Sequence, residues 1–551
     1  MSSSREANSS SRGSSSSSSR SSTHLHKGSA CLNCRRRKIK CDGLRPVCGP
    51  CLASPGFSDC EYSDRGVTRA QALQEQISVL QSRIQDLEQP GHSDSSITLS
   101  DPYNRHRPAE FASAPGVSQP LPDIIDFPIE YRQRFLQHFV QQSNEIGFFL
   151  DISRFVESLS SSSRAQPSTA LLSAVYLWGI HLSPISELSG YEPIILQRTI
   201  QAVAQGLSTR HPQIILQCIQ AEVLLANYFF RNGRVLEGKY HTTTAVSLVL
   251  SARLHRIRSA EPTSANSLDV GVEATLPPPA DLVEEGERIN AFWTVLILNN
   301  CWSAADGSPS NISYTAPDAR VDLPWPLDIA SYHQVNRSPQ YRTSHTIQKF
   351  LAYDTDDCNS IIALHAKASI LYEQASRVGA KFRPGMQQQE AARFFASFST
   401  LERVIQRFLE GLPSPMTMAA QSSPGTTVVI HTLSQMSMIQ LHAPFLARNP
   451  SSRGRIVAGF RAIVQIIQGF DISRCLFMDP IVGVLWANTA KLLMQEISGG
   501  QGAVAGNEPL QLLNVIMSAI TAGASHWPLL EAQLTDLSRL YTAAMQTSGL
   551  Q

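Results

Sequence analysis

The chain has 551 residues, which is too many for one hydrophobic core, so two or more folded units are expected. An apolar share of 42% and a charged share of 17% predict a large buried part and exclude a wholly disordered chain. The N-terminus has no apolar run, and no window reaches about 18 uninterrupted apolar residues, so neither a secretory signal nor a membrane span is expected. The formal net charge of +1 hides a local excess, because residues 27–69 carry nine Lys or Arg against four Asp or Glu. Such an excess suits a polyanionic partner.

The N-terminal segment 1–30 is a serine-rich tract with almost no apolar side chains. It contains 15 serines. Such a segment cannot bury enough surface to offset the entropy of ordering its backbone. We therefore predict a disordered tail.

Six of the ten cysteines fall within the next thirty residues, 31–60. They form two similar halves, each a Cys-x-x-Cys pair with a single cysteine at a distance. A run of five cations in six positions, from Arg35 to Lys40, lies inside the first half. The six are Cys31, Cys34, Cys41, Cys48, Cys51 and Cys60.

Four interpretations of this segment compete. A disulfide framework needs a secreted context, which is absent. An iron–sulfur site usually gathers its cysteines more tightly and gives the basic run no role. A single tetrahedral zinc would leave two thiols idle. Two zinc ions need eight tetrahedral positions, which six thiolates can fill if two of them bridge both metals. The net charge of −2 would then be offset by the adjacent cations, and metal binding would supply most of the folding energy.

The residues resemble the fungal-type zinc binuclear cluster of transcription regulators. The six cysteines, the Arg-x-Arg-Lys-x-Lys pattern from Arg35 to Lys40, Asp42 and Pro46 carry the resemblance. It implies two zinc ions, bridged by Cys31 and Cys48. Cys34 and Cys41 would complete one metal, and Cys51 and Cys60 would complete the other.

The resemblance also implies contacts with double-stranded DNA. A short helix after Cys34 would enter a major groove, where Lys or Arg donates to guanine O6 and N7. Lys38, with Arg37 beside it, would contact the bases of a CGG-type triplet. Arg35, Arg36 and Lys40 would meet phosphates. The alternative, a nuclear-localisation run or a solvated charge cluster, leaves the cysteine spacing unexplained.

After a connector at 61–72, a heptad pattern predicts a coiled-coil dimerisation helix at 73–89. Isoleucine at a and leucine at d favour a parallel two-stranded coil, and Arg83 at g can meet the partner's Glu88 at e in a homodimer. The alternative is an amphipathic helix packed on its own chain, because fewer than three heptads make a weak coil. Polar linkers flank this segment and offer no apolar surface for it to pack on, which favours dimerisation. The seam residues are Leu73, Ile77, Leu80, Ile84 and Leu87.

A second Pro/Gly/Ser-rich linker, 90–122, is expected to have little fixed structure. From 123 to 551 the pattern is helical almost throughout, and no alternating strand run or repeat appears, so we predict a large all-α domain. Helices are expected at 168–182, with Ser168-Thr169 as start signals, at 212–230, ended by Asn232-Gly233 and followed by a partner from Tyr240 to Leu254, and around Ile289–Leu296. Further helices are expected near 359–378, 386–411, 426–446, 456–470, 481–497, 508–523 and 528–547, with a break at Pro413-Ser414-Pro415.

This region resembles, more diffusely, the regulatory domain downstream of fungal binuclear clusters. The part that carries the resemblance is Asn232-Gly233-Arg234 with Glu237-Gly238 and a helix ending Arg253-Leu254-His255. By analogy it would hold transcription machinery or co-regulators, mask the DNA-binding end, or respond to a small-molecule effector.

The chain is therefore predicted to be a nuclear, zinc-dependent, sequence-specific regulator of RNA polymerase II transcription, and not an enzyme. No metalloprotease, nucleophile-elbow, Walker or dinucleotide-binding motif appears. The main alternative is an all-α effector- or partner-binding regulator with little DNA specificity of its own. A metal-dependent enzyme that uses the helical domain is a more distant one.

Overall fold

The fold is built from helices, as the missing strand pattern predicts, and the chain divides into two units, Met1–Val117 and Ser118–Gln551. The computed structural model describes residues 29–53, 60, 62, 78, 127–160, 166–206, 212–260, 276–314, 320–335, 340–354, 356, 358–471, 477–498, 507–524 and 527–548. Within these residues the extended pairing is limited to one isolated bridge, between Ser259 and Thr343. The all-α prediction for the large domain is confirmed.

Among the described residues of the first unit there are two short helices of four or more residues, and the core that they enclose consists of cysteine side chains. Helices α1 (Leu32–Arg36) and α2 (Gly49–Leu52) each bury a single cysteine. The predicted coiled coil at 73–89 lies outside the described residues, apart from the exposed Ser78, and so do the predicted tail up to Gly28 and the linker at 90–122. The seam residues Leu73, Ile77, Leu80, Ile84 and Leu87 therefore stay a prediction.

The second unit begins with helices that pack into an aromatic-rich cluster, in which Phe135, Phe139 and Trp178 are fully buried. Ser168 caps one of them by accepting a hydrogen bond from the Leu171 N–H, which is the start signal that the sequence predicts. The helices are α3 (Ile129–Gln142), α4 (Ile152–Ser160), α5 (Thr169–His181), α6 (Glu192–Gly206), α7 (Pro212–Arg231) and α8 (Val235–Ser251).

The central helix is α9 (Leu282–Asp306), which is buried on nearly every side. Asp281 caps its start by accepting from the Glu284 N–H at 2.9 Å, and Gly307 ends it in the left-handed conformation, with φ of 74°. It packs on α7, α8 and on α11 (Ile361–Gly379).

The remaining helices complete the main core. These helices are α10 (Thr346–Leu351), α12 (Gln388–Gly411), α13 (Pro415–Gln421), α14 (Pro424–His442), α15 (Pro450–Gly469), α16 (Ile481–Ser498), α17 (Glu508–Ala524) and α18 (Pro528–Ser548). Helix α11 packs on α14, and α14 packs on α15, while α16 packs on both α17 and α18. Among the described helices, none combines the length and apolar content that a membrane crossing requires.

The α7–α8 hairpin explains the glycines of the Asn232-Gly233-Arg234 motif. Gly233 has φ of 72°, which only glycine adopts without cost, and it reverses the chain. Gly238 lies under Phe230: a Cβ there would approach the ring to 2.5 Å. Phe230 itself stacks on Trp302 of α9 at a centroid distance of 3.6 Å. The hairpin therefore packs on the central helix through the Phe230 ring, and the absence of a side chain at Gly238 leaves room for that ring. The second helix of this hairpin begins at Val235, five residues before the predicted Tyr240.

Replacing Gly238 by alanine should destabilise the helical domain by about 1–3 kcal/mol, because the new methyl group overpacks the Phe230 ring. Gly454→Ala is the matched control, since this glycine of α15 has open space where its Cβ would lie. That change should stabilise by about 0.5–1 kcal/mol, as alanine favours a helix over glycine. Urea unfolding followed by circular dichroism measures both, and equal effects would contradict the packing argument.

Candidate metal centre and nucleic-acid interface

The six thiols of the first unit converge on one point. Cys31, Cys34, Cys41, Cys48 and Cys51 are buried and Cys60 is half-buried. Their Sγ atoms form two groups of four that share Cys31 and Cys48. Within each group all Sγ atoms lie within 4.8 Å of one another. The first group adds Cys34 and Cys41, and the second adds Cys51 and Cys60.

The spacing of these sulfurs fits tetrahedral zinc. Four ligands at a Zn–S distance of about 2.3 Å stand roughly 3.8 Å from each other. The Sγ atoms of Cys31 and Cys48 are 3.6 Å apart, and those of Cys34 and Cys48 are also 3.6 Å apart. Both distances are far longer than the roughly 2.05 Å of a disulfide bond. The disulfide interpretation is therefore wrong for these cysteines.

Burial sets the protonation of the thiols at the centre. It raises the pKa of the Cys31 thiol to about 12 and raises the pKa of the Cys48 thiol still further. At Cys41 burial is outweighed by the backbone N–H groups of Cys31 and Gly43, which lower the pKa to about 7. Since zinc binds thiolates, the metal charge must reverse the preference of the two central thiols for the neutral form.

Asp42 ties the two halves together. Its Oδ2 accepts from the Gly49 N–H of α2 at 2.9 Å, and its Oδ1 accepts from the Leu44 N–H at 3.3 Å. Gly49 permits this approach, because a Cβ there would lie 2.4 Å from Asp42 Oδ2. The contact places the first turn of α2, and with it Cys51, against the half that carries Cys41.

Tyr62 encloses the other side of the cluster. Its hydroxyl donates to the Leu44 carbonyl at 2.8 Å and lies 3.8 Å from Cys41 Sγ, while Arg45 stands over its ring. Sequence reasoning missed this residue and the Asp42–Gly49 contact. The only signal was an aromatic residue two positions after the last cysteine, which by itself indicates no contact.

All five cations of the basic run are exposed: Arg35, Arg36, Arg37, Lys38 and Lys40. The prediction of a helix after Cys34 is wrong in position, because α1 begins at Leu32 and ends at Arg36. The Cys31 sulfur accepts from the Cys34 N–H at 3.3 Å and so caps α1. Lys38 lies beyond the helix in the left-handed conformation, with φ of 53°. The chain therefore leaves the helical path at the residue predicted to contact bases.

An exposed basic segment on a six-thiol metal centre, joined to a large all-α domain, defines a zinc-dependent DNA-binding regulator of transcription. Comparison with family models agrees with this class. Residues 29–68 match the fungal Zn(2)-Cys(6) binuclear cluster domain, which binds two zinc ions, and residues 125–440 match the fungal specific transcription factor domain. The chain belongs to the fungal Zn(2)-Cys(6) transcription factors.

Three relatives show how far the similarity extends. The notoamide biosynthesis cluster transcriptional coactivator notQ' of Aspergillus versicolor is 25% identical over 311 residues, 54% of this chain and 56% of the relative. The citrinin biosynthesis transcriptional activator mrl3 of Monascus ruber is 25% identical over 344 residues, 54% of this chain and 64% of the relative. The transcriptional activator protein acu-15 of Neurospora crassa is 41% identical over 64 residues, 10% of this chain and 7% of the relative. The chain thus spans less than two thirds of the curated relatives that it matches.

The change Gly49→Ala should weaken zinc binding about 10–100-fold, because the methyl group displaces the Asp42 carboxylate that supports the ligand loop. Leu52→Ala is the control in the same helix, since Leu52 is 76% exposed. Competition with a chromophoric chelator on the full-length protein measures the affinity. Equal zinc affinity in the two variants would show that the Asp42–Gly49 contact has no role in metal binding.

Proposed function

We propose that the protein is a sequence-specific regulator of RNA polymerase II transcription in the nucleus, and that it binds CGG-type half-sites as a dimer. The observation that carries the proposal is the exposed basic run, Arg35–Lys40, attached directly to the six-thiol centre. In this position the cations are held on a rigid scaffold, which a disordered localisation signal would not need.

The proposed zinc ligands follow the two sulfur groups. Cys31 and Cys48, which belong to both groups, would bridge the metals. Cys34 and Cys41 would complete one zinc, and Cys51 and Cys60 the other. Burial raises the pKa of both thiols proposed to bridge, and sharing two zinc ions would offset that cost of charge.

The proposed DNA contacts divide into two kinds. Lys38, with Arg37 beside it, would donate to guanine O6 and N7 in the major groove. Arg35, Arg36 and Lys40 would contact phosphates, which position the protein without selecting sequence. The left-handed backbone at Lys38 supports this division, since it separates this side chain from the arginines on α1.

Dimerisation would use the heptad seam at 73–89, with Arg83 of one chain meeting Glu88 of the other. Two clusters on one coil would bind two half-sites, whose separation the connector at 61–72 would influence. The helical domain would hold co-regulators. Because the relatives are named as activators or a coactivator, positive regulation is the sign that we propose.

Replacing Lys38 by glycine should reduce affinity for a CGG-containing duplex about tenfold to a hundredfold and leave affinity for a scrambled duplex nearly unchanged. Glycine adopts the left-handed conformation readily, so the variant removes the cation without straining the loop. Fluorescence anisotropy of the full-length protein at fixed salt measures both affinities.

Arg36→Gln is the matched control for that experiment. It should weaken binding to both duplexes equally and lower the slope of log affinity against log salt by about one. If wild-type protein bound both duplexes equally, the chain would be a helical regulator with little DNA specificity of its own.

The change Ile77→Asp should convert the dimer to a monomer, because it places a charge in the a position of the seam. Ser78→Asp is the control, since Ser78 at b is exposed. Sedimentation of the full-length protein measures the oligomeric state. Binding to a duplex with two half-sites should weaken at least tenfold in the Ile77 variant alone, through loss of bivalency. A dimer that survives Ile77→Asp would place the dimer contact elsewhere.

A further inference from the structure

A cavity of about 650 Å³ lies inside the helical domain, where α7, α9, α11 and α14 converge. Its volume falls in the range of about 300–1,000 Å³ that is typical of small-molecule sites. Three further segments complete the wall, at 144–149, 327–330 and 421–426, together with Asp479 just before α16. The sequence offers no motif for this site, because the lining comes from positions more than 300 residues apart.

The wall is held in place by hydrogen bonds. Gln220 of α7 accepts from the Phe149 N–H at 2.7 Å and donates to the Gly147 carbonyl at 3.1 Å, while Asn227 donates to the Ile146 carbonyl at 2.8 Å. On the opposite side, Asn290 of α9 donates to the Leu327 carbonyl at 3.0 Å. These three side-chain amides are thus held by backbone groups, and this part of the wall is preformed.

The ionisable groups that face the cavity are acidic. Glu145, Asp328 and Asp479 line it, and among its described lining residues there is no Lys or Arg. None of the three carboxyl groups forms an ion pair with a described residue. Burial raises the pKa of Asp479 to about 6, although a hydrogen bond from the Ile481 N–H lowers it in part. Burial also raises the pKa of Glu145, although a hydrogen bond with the Ser423 side chain opposes this rise.

Glu145 lies beside the chain segment that carries Asp479. At Gly425 the position of a Cβ would be 2.6 Å from Glu145 Oε2 and 3.2 Å from the Phe477 carbonyl oxygen. Glu145 and Asp479 therefore line the same cavity, and neither carboxyl group has an ion-pair partner among the described residues. In surroundings of low dielectric constant, such a cavity attracts a cation and repels an anion.

The other polar groups supply no positive charge. Burial lowers the pKa of His365 to about 4, so its imidazole is neutral at cellular pH, and its Nε2 has no hydrogen-bond partner among the described residues. Burial and the charge of Asp479 raise the pKa of the Cys301 thiol, which is therefore neutral as well. His365 can accept or donate one hydrogen bond to a ligand, depending on its tautomer.

The rest of the wall is apolar and aromatic. Phe148, Phe149 and Trp302 line the cavity together with aliphatic residues of α9 and α11. Trp302 is held by its stack on Phe230. These rings offer rigid surface to a flat or cyclic apolar body, and their faces attract a nearby cation.

We propose that this cavity binds a ring-containing organic amine whose protonated amino group pairs with Asp479 and Glu145. The apolar body packs against the aromatic side of the wall. Carboxylate, phosphate and sulfate ligands are excluded, because they would be buried beside carboxyl groups without a compensating cation. An effector of this chemistry would act on the helical domain.

Three fluorescent probes with the same ring test the proposal: 1-pyrenemethylamine, 1-pyrenemethanol and 1-pyrenecarboxylate. Fluorescence anisotropy is measured with full-length, zinc-loaded protein at pH 7.5. The amine should bind at least about tenfold more tightly than the alcohol, a difference of about 1.4 kcal/mol, and the carboxylate should bind weakest. Absence of amine binding, or carboxylate binding as tight as that of the amine, would overturn the proposal.

Two variants locate the binding. Asp479→Asn keeps an oxygen for the Ile481 N–H but removes the charge, so it should cut the preference for amine over alcohol to less than about threefold while alcohol binding persists. Retained alcohol binding shows that the variant is folded. Ile362→Trp fills the cavity from α11 and should abolish binding of all three probes. A full amine preference in Asp479→Asn, or probe binding in Ile362→Trp, would show that the probes bind elsewhere.

Discussion

The binding of two zinc ions by six cysteine thiols is the interaction on which the DNA-binding unit depends. The two short helices described around these thiols have five and four residues and each buries one cysteine, so apolar burial cannot hold them together. Burial makes charge costly at the central thiols, and only bound cations reverse that preference. The basic run stands on the same scaffold, so metal binding and DNA recognition are coupled through one short segment.

The helical domain is stabilised in a different way, by close packing around α9. Positions without side chains matter there as much as large ones, since Gly238 admits the Phe230 ring that stacks on Trp302. The same packing leaves a cavity of about 650 Å³ whose lining carboxyl groups form no ion pair with a described residue. An acidic cavity with a rigid aromatic wall suits the proposed amine ligand, which would give a point of control to a domain that the sequence describes only as helical.

Prediction from sequence succeeded where one local pattern dominated. Ser168 and Asn232-Gly233 marked helix boundaries correctly, because capping and left-handed turns depend on a few neighbouring residues. Helix α6, with polar and apolar residues mixed, was not predicted, and α13 begins where Pro413 and Pro415 suggested only a break. A proline at the first helical position starts a helix as readily as it ends one. The helix predicted after Cys34 begins at Leu32 instead, because the cysteine cap is not a standard start signal.

The sequence by itself determined the chemistry of the first unit: thiols at these intervals, with cations between them, indicate zinc and DNA because ligand type and charge are local properties. It also determined the all-α class of the second unit through its periodicity. Only the tertiary structure decided which sulfurs share two groups, how Asp42 approaches Gly49, and where α1 ends relative to Lys38. It alone brought Glu145 and Asp479 to one cavity. The contacts around the cavity join residues far apart in the chain, and their geometry follows from the packing of whole helices.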